Sequence, residues 1–429
     1  MIKEIKPANS LRGEIIPPPD KSISQRAAIF SLLHDGISEV KNFSKAEDPN
    51  STLSCVQQMG AQVKRSNESL LITGTGRRGL RKPEKDLDCG NSGTAMRLLS
   101  GVLVGSCVPA RLVGDESLSG RTMTRIINPL EKMGAHILAR NSAYAPLFVT
   151  CNDGLKPMKY ELPIPSAQLK SCILLAGLFG EDVTQVIEIL PSRDHTERLL
   201  ELDSVVTHGR KIISASRADE IPNQSYTIPG DFSSAAFWLV AGAIHNDAEI
   251  MLSGTGLNPS RNALLGVLEE MGADITIENE RQEGAEPVGD IVVKSSDLRA
   301  IKLDPNIIPN CIDELPVIAI AMLFAEGISE ISGAGELRHK ETDRIMATGE
   351  ILRAVGADFE EKEDGFIIHG NPDFTFDSAE FKSYHDHRIA MAASILSLKG
   401  TNPSKVIDAE SAAVSYPEFW QHLKAASGN

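Results

Sequence analysis

One pattern of apolar and polar positions recurs along the chain. Val56-Gln57-Gln58-Met59-Gly60-Ala61 returns as Leu130-Glu131-Lys132-Met133-Gly134-Ala135, as Leu268-Glu269-Glu270-Met271-Gly272-Ala273 and as Leu352-Arg353-Ala354-Val355-Gly356-Ala357. Each copy reads as the last turn of a helix stopped by glycine, the residue that enters the left-handed region at least cost. A short alternating run follows, such as Ile275-Thr276-Ile277, and reads as a strand. The interval between the second and third glycines, 138 residues, is twice 69, which predicts a degenerate copy ending near Leu202-Asp203. A sixth helix is expected over 417–426. Six units of about 70 residues then fill the chain; that period is too long for a solenoid, so each unit reads as a small α/β subdomain.

The predicted helix starts are unusual. A helix N-terminus carries positive partial charge, so Asp or Glu is the ordinary residue there. Here the starts carry cations and small donors: Lys21-Ser22-Ile23-Ser24-Gln25-Arg26, with Ser22 and Arg26 on one face, Asn91-Ser92-Gly93-Thr94 leading to Arg97, Gly120-Arg121-Thr122, Ser166-Ala167-Gln168-Leu169-Lys170 and Ser192-Arg193-Asp194-His195. The series continues through Gly230-Asp231-Phe232-Ser233-Ser234, Asn258-Pro259-Ser260-Arg261, Arg338-His339-Lys340-Glu341 and Asp386-His387-Arg388. One such start is an ordinary cap or a solvated helix face. Repeated use asks for an anion, and predicts helix N-termini converging on a highly anionic ligand. Two carboxylates stand among these cations. Asp313 precedes an apolar helix and Glu341 follows Lys340; each is a cap on the plain reading and an acid–base group on the functional one. Gly93 either supplies a positive φ or lets a ligand lie on the backbone.

Composition narrows the ligand. The 429 residues are 41% hydrophobic and 24% charged, and the length suits two domains. A net charge of −15 excludes a general nucleic-acid or anionic-membrane surface, so an anion must be drawn by a local basic cluster. The longest apolar runs, near 235–244 and 315–325, are far short of the ~20 residues of a membrane span. Six scattered cysteines (Cys55, Cys89, Cys107, Cys151, Cys172, Cys311) form no C-x-x-C pair and are expected as reduced, mostly buried thiols. The opening Met1-Ile2-Lys3-Glu4 lacks the apolar stretch of a secretory signal, and the expected compartment is the cytoplasm.

The motifs PPDKSISQRA, GNSGTAMRLL, SAQLK, SRDHTE, GDFSSA, the Asp313 segment, RHKETDR and HDHRIAM run in that order from residue 18 to 391, and YPEFW closes the series. Together they resemble the 5-enolpyruvylshikimate-3-phosphate synthases of the enolpyruvyl transferase family. The resemblance implies an α/β fold of two similar domains, each of three βαβαββ-type units (an inside-out α/β barrel), joined by two crossing strands with the active site in the cleft. It implies transfer of the enolpyruvyl group of phosphoenolpyruvate to shikimate 3-phosphate through a tetrahedral phosphate–ketal, without metal or organic cofactor. Lys21, Asp313 and Glu341 are then the catalytic residues. Lys21, Ser22, Arg26, Ser166, Ala167, Gln168, Ser192, Arg193, Asp313 and Lys340 hold shikimate 3-phosphate, with His195 beside them. Lys21, Asn91, Gly93, Thr94, Arg121, Gln168, Arg344, His387 and Arg388 hold phosphoenolpyruvate. Glyphosate is implied as an inhibitor, and a monomer without nucleic-acid or membrane partners as the working form. The chain departs from the family pattern at Val414, where many members carry a lysine, and at Leu98 and Thr122, where proline is frequent.

The sister enzyme acting on UDP-N-acetylglucosamine shares the fold, but usually carries Lys-Asn where this chain has Lys21-Ser22, and a catalytic cysteine in a G-G-C loop. A non-catalytic repeat protein would explain the six units without explaining Asp313 and Glu341. An RNA-end cyclase is disfavoured by the acidic balance. The expected domains are 1–18 with 229–429, and 19–228, because the strand at 11–16 has no partner in its own half.

Overall fold

Every helix stop marked by the recurring glycine is closed by the same backbone bonds. Gly60, Gly134, Gly272 and Gly356 take φ of +116°, +96°, +93° and +74°. The next amide in each case reaches back to the last helical turn, as in Ala61 N to Val56 O (3.1 Å) and Ala273 N to Leu268 O (2.8 Å). The degenerate copy closes identically: Leu202 N donates to Glu197 O at 2.9 Å, with Glu201 at φ +54° in the glycine's place. A non-glycine residue holds that conformation at a cost, which is why the motif was unreadable there. The closing helix spans Phe419–Ser427.

The structure is a computed structural model that describes residues 1–66, 69–150, 154–222 and 225–428. The chain divides into two compact units. Unit 1 comprises Met1–Pro18, Pro229–Gln282 and Pro287–Asn429; unit 2 comprises Pro19–Ile228 and Glu283–Glu286. The strands described form six small sheets, three in each unit.

In unit 2 the three sheets repeat one plan, a parallel pair extended by two antiparallel strands. One runs Leu87–Asp88, Ala110–Val113, Tyr144–Thr150 and His136–Arg140; another runs Lys159–Glu161, Thr184–Glu188, Arg210–Ala215 and Ser204–Thr207. The parallel strands need a crossover, and the helices Gly93–Ser106 and Ala167–Gly177 supply it. The remaining sheet takes its parallel partner from the far end of the unit, where Ser225–Thr227 pairs with Ile37–Lys41. These two helices and Lys21–Leu33 lie inside, buried for most of their length. They approach closely at Gly101, where a Cβ would lie 2.2 Å from the Cys172 carbonyl oxygen.

Unit 1 follows the plan in part, with one four-stranded and two three-stranded sheets. Leu11–Ile15 pairs parallel with Ala248–Gly256, and Glu380–Lys382 pairs parallel with Ser404–Ile407. The inner helices Phe232–Ile244, Leu315–Leu323 and His387–Ser397 are buried at every residue, around Trp238, whose Nε1 donates to Tyr416 Oη at 3.1 Å. Continuous apolar runs are therefore inner helices wrapped by sheets. Among the described residues no single helix is long and apolar enough to cross a membrane.

The cysteine expectation holds in part. Cys55, Cys89, Cys172 and Cys311 are free and buried, and burial pushes the Cys172 thiol up to about 12. Cys107 is disulfide-bonded at a half-buried, left-handed position ending the helix Gly93–Ser106, not a core thiol. Cys151 lies outside the described residues.

Candidate active site

In unit 2 the inner helices begin on caps that leave the first turn without acidic residues. Asp20 Oδ1 accepts from Ile23 N at 2.8 Å, Ser92 Oγ from Ala95 N at 3.1 Å and Ser166 Oγ from Leu169 N at 3.4 Å. Lys21 Nζ lies 3.0 Å from Asp48 Oδ2. The buried Arg26 donates to Thr196 Oγ1 (2.8 Å), Ser171 Oγ (3.1 Å) and the Ser22 carbonyl (3.1 Å).

 Asn91 donates to Asp115 Oδ2 and accepts from Arg121 Nη2, both at 2.7 Å, and Arg121 also reaches Ser117 Oγ at 3.3 Å. Gln168 ties two motifs together: its amide donates to Thr94 Oγ1 at 2.9 Å and its oxygen accepts from Arg97. Gly93 opens its helix without a positive φ, so the turn does not require glycine. A Cβ there would meet Arg97 Nη1 at 3.2 Å and Arg121 Nη1 at 3.6 Å, which places two guanidiniums over the α-carbon.

Behind this surface lies a buried charge cluster. Lys170 Nζ, fully buried, reaches Glu197 Oε1 at 2.7 Å, Glu188 Oε2 at 3.0 Å and the Ser192 carbonyl at 3.4 Å. Lys211 adds a second cation 3.3 Å from Glu197, so two lysines face two carboxylates. Ser192 donates its hydroxyl to Glu188, and its single proton is thereby used. His195 Nδ1 lies 2.7 Å from Glu286 Oε1, both side chains buried.

In unit 1 the cations meet carboxylates. The buried Arg344 binds Asp386 (2.8 Å from Nε), Asp313 (3.2 Å from Nη1) and Glu341 (2.6 Å from Nη2). Burial alone would lower its pKa, but Asp386, Glu341 and Asp313 together hold the guanidinium above its ordinary value. Asp313 also receives Lys340 Nζ at 3.4 Å and Arg388 Nη2 at 3.6 Å. Arg388 Nη1 donates to the Asp313 carbonyl at 3.1 Å and to Glu314 Oε1 at 3.3 Å. Asp386 caps its own helix, accepting from Arg388 N at 2.8 Å. Two half-exposed carboxylates, Asp313 and Glu341, are thus fixed against one buried guanidinium. Such carboxylates can take up or deliver a proton at a defined place.

The structure brings together Asp313, Lys340, Glu341, Arg344 and Arg388 in unit 1, with the buried His387 between Asp386 and Arg388 in sequence. In unit 2 it joins Asn91 with Arg121, Thr94 with Gln168, and Ser22 with Arg26. Ser166 caps the helix that Ala167 begins, and Arg193 stands half-buried beside Ser192. Two expectations about placement are corrected. Arg121 does not open a helix; it ends the short helix Glu116–Gly120, and the next helix, Thr124–Lys132, starts after Met123. Glu341 also precedes its helix, Arg344–Ala354, which Asp343 caps. Sequence reasoning named Lys170 only as a helix-start cation, and passed over Asp48, Glu188 and Glu314 as functional groups. Lys170, a lone lysine two residues before the apolar run Cys172-Ile173-Leu174, was the visible signal of its burial.

Comparison with known proteins agrees with this geometry. The family model for EPSP synthase (3-phosphoshikimate 1-carboxyvinyltransferase) matches residues 5–423. A 3-phosphoshikimate 1-carboxyvinyltransferase of Salinibacter ruber is 50% identical over the whole of both chains. One of Herpetosiphon aurantiacus is 45% identical, covering 98% of each. The EPSP synthase structure from Acinetobacter baumannii superposes with a TM-score of 0.87 at 39% identity, over 99% of this chain and 98% of that one.

Proposed function

This chain belongs to the EPSP synthase family, and we infer from that premise that it moves the enolpyruvyl group of phosphoenolpyruvate to the 5-hydroxyl of shikimate 3-phosphate, releasing phosphate. The observation that carries the reading is the pair Asp313 and Glu341, each held by Arg344. Asp313 accepts the proton of the 5-hydroxyl as that oxygen attacks C2 of phosphoenolpyruvate. Glu341, with Lys21, delivers a proton to C3, so the methylene becomes a methyl group and a tetrahedral phosphate–ketal forms. Removal of a proton from that methyl group then reforms the double bond as the C–O bond to phosphate breaks. Holding the reactants in line accounts for much of the acceleration.

The binding residues sort by ligand. Lys21, Ser22, Arg26, Ser166, Ala167, Gln168, Arg193 and Lys340 hold shikimate 3-phosphate. Lys21, Asn91, Gly93, Thr94, Arg121, Gln168, Arg344, His387 and Arg388 hold phosphoenolpyruvate. Ser192, whose hydroxyl proton goes to Glu188, supports the Arg193 loop. A pair of unit charges ~4 Å apart is worth about 4 kcal/mol at intermediate dielectric, so two multiply charged substrates need several cations. Glyphosate competes for the surface over Gly93. A monomer in the cytoplasm is the working form, since both substrates are charged metabolites that membranes retain.

The test is phosphate release from phosphoenolpyruvate with either shikimate 3-phosphate or UDP-N-acetylglucosamine as co-substrate. Release with shikimate 3-phosphate alone is expected. Release with only the nucleotide sugar, or with neither, overturns the reading.

A further inference from the structure

Two motifs remain without a role in that reaction, Gly230-Asp231-Phe232-Ser233 and Asn258-Pro259-Ser260-Arg261. Both meet at a carboxylate that the reaction does not use. Glu314 precedes Leu315–Leu323, the most apolar inner helix of unit 1, and its side chain is wholly buried. It makes no capping bond to that helix. A carboxylate without exposure is costly unless paired, so its position asks for a reason.

The bond directions supply one. Arg261 Nη2 donates to Asp231 Oδ1 at 3.0 Å and to Ser233 Oγ at 2.9 Å. A guanidinium only donates, so Ser233 accepts there and has one proton left to give. That proton goes to Glu314 Oε1, the same oxygen that accepts from Arg388 Nη1. The same Nη1 also donates to the Asp313 carbonyl, while Nη2 lies 3.6 Å from the Asp313 carboxylate. The chain therefore runs from Arg261 through Ser233 and Glu314 to Arg388 and Asp313, buried from Arg261 to Arg388. Glu314 Oε2 has no hydrogen-bond partner among the described residues, so the carboxylate is committed through Oε1 alone.

We propose that Glu314, backed by Ser233 and Arg261, is a positioning residue that fixes the guanidinium of Arg388 and, through it, the carboxylate of Asp313. The proposal rests on the reading of Arg388 as a phosphoenolpyruvate contact and Asp313 as the proton acceptor. Loss of the Ser233 hydroxyl leaves Glu314 in place but free to rotate. Loss of the Glu314 charge leaves Arg388 attached but more weakly held.

The experiment is steady-state kinetics with each substrate varied in turn, on wild type, Ser233→Ala, Glu314→Gln and Glu314→Ala, beside thermal melting of each. A misplaced group of this kind costs up to about 100-fold in kcat/KM. Glu314→Ala is expected near that limit for phosphoenolpyruvate. Glu314→Gln, which retains the Oε1 acceptor, should recover most of the loss, and Ser233→Ala should fall between wild type and Glu314→Gln. The KM for shikimate 3-phosphate should stay within about threefold in the two mild variants. A merely structural role would lower melting temperature and active fraction while leaving both KM values alone. Folded Glu314→Gln and Ser233→Ala with an unchanged KM for phosphoenolpyruvate, in a background where wild type turns over, would overturn this proposal alone. A wild type that releases no phosphate would instead overturn the reaction on which it rests.

Discussion

The two units place arginines near the starts of equivalent helices, yet give them different partners. In unit 2, Arg26 bonds the hydroxyls of Thr196 and Ser171, Arg97 the amide oxygen of Gln168, and Arg121 the side chains of Asn91 and Ser117. In unit 1, Arg344 bonds Asp386, Glu341 and Asp313, Arg388 bonds Glu314 and Asp313, and Arg261 bonds Asp231. A hydroxyl or amide oxygen fixes a guanidinium without cancelling its charge; a carboxylate does both. On the proposed reaction, the arginines of unit 2 meet anionic substrates, while Arg344 and Arg388 of unit 1 meet phosphoenolpyruvate and also hold Asp313. Lysines of unit 2 do pair with carboxylates, Lys21 with Asp48 at 3.0 Å and Lys170 with Glu197 at 2.7 Å.

The strongest way to break this comparison is at Asp313. Asp313→Asn keeps the shape and removes the base, and turnover should fall about 100- to 10,000-fold. Circular dichroism should show an unchanged fold; near-normal turnover would remove Asp313 from the chemistry.

The next effect concerns stability in unit 2. Lys170→Met leaves Glu188 and Glu197 buried against Lys211 alone, a loss of about 3–5 kcal/mol for an uncompensated buried charge. Chemical denaturation should show it, and Glu188→Gln in the same chain should restore part, because one lysine then faces one carboxylate. Equal stability of single and double variants would mean that the cluster's charge balance is irrelevant.

Gly93→Ala sharpens the comparison at the surface of unit 2. The added methyl meets two guanidinium ends, which are flexible, rather than backbone. It should exclude the longer glyphosate by about 10-fold or more while changing the KM for phosphoenolpyruvate little. Parallel inhibition curves check this, and equal shifts in both constants contradict it.

The smallest effect lies in unit 1 away from the site. Burial lowers the pKa of His245 below its ordinary 6.5, and its Nε2 lies 2.9 Å from the Ala8 carbonyl. The unfolded ring therefore takes a proton before the folded ring does. Its contribution is full above pH 6.5 and declines as pH falls below it. Urea midpoints measured downward from pH 7 should drop more steeply in wild type than in His245→Gln.

Much of this was legible in the sequence because the signals are local. Gly60, Gly134, Gly272 and Gly356 mark helix stops by backbone conformation, which only glycine adopts cheaply. The copy at Glu201 escaped the motif because tertiary packing holds a non-glycine residue at positive φ. Asp313, Glu341 and Arg344 were visible as charges crowded at helix starts. Asp48 was hidden as an ordinary first-turn acid of the helix Glu47–Gln58, and Glu314 as an apparent cap. Their roles depend on partners more than 20 residues away in sequence, Lys21 for one and Arg388 for the other. No local pattern encodes such a pairing.

The central claim is that Glu341 handles a proton while Arg121 binds phosphoenolpyruvate. It is tested most directly by the kinetics of Glu341→Gln beside Arg121→Gln, with phosphoenolpyruvate varied at saturating shikimate 3-phosphate. Glu341→Gln should lower kcat at least about 100-fold and leave KM within about threefold. Arg121→Gln, losing a charged donor, should raise KM about 10- to 100-fold with kcat near wild type. The reverse assignment, or equal changes of kcat and KM in both variants, would contradict the division of labour between the two residues.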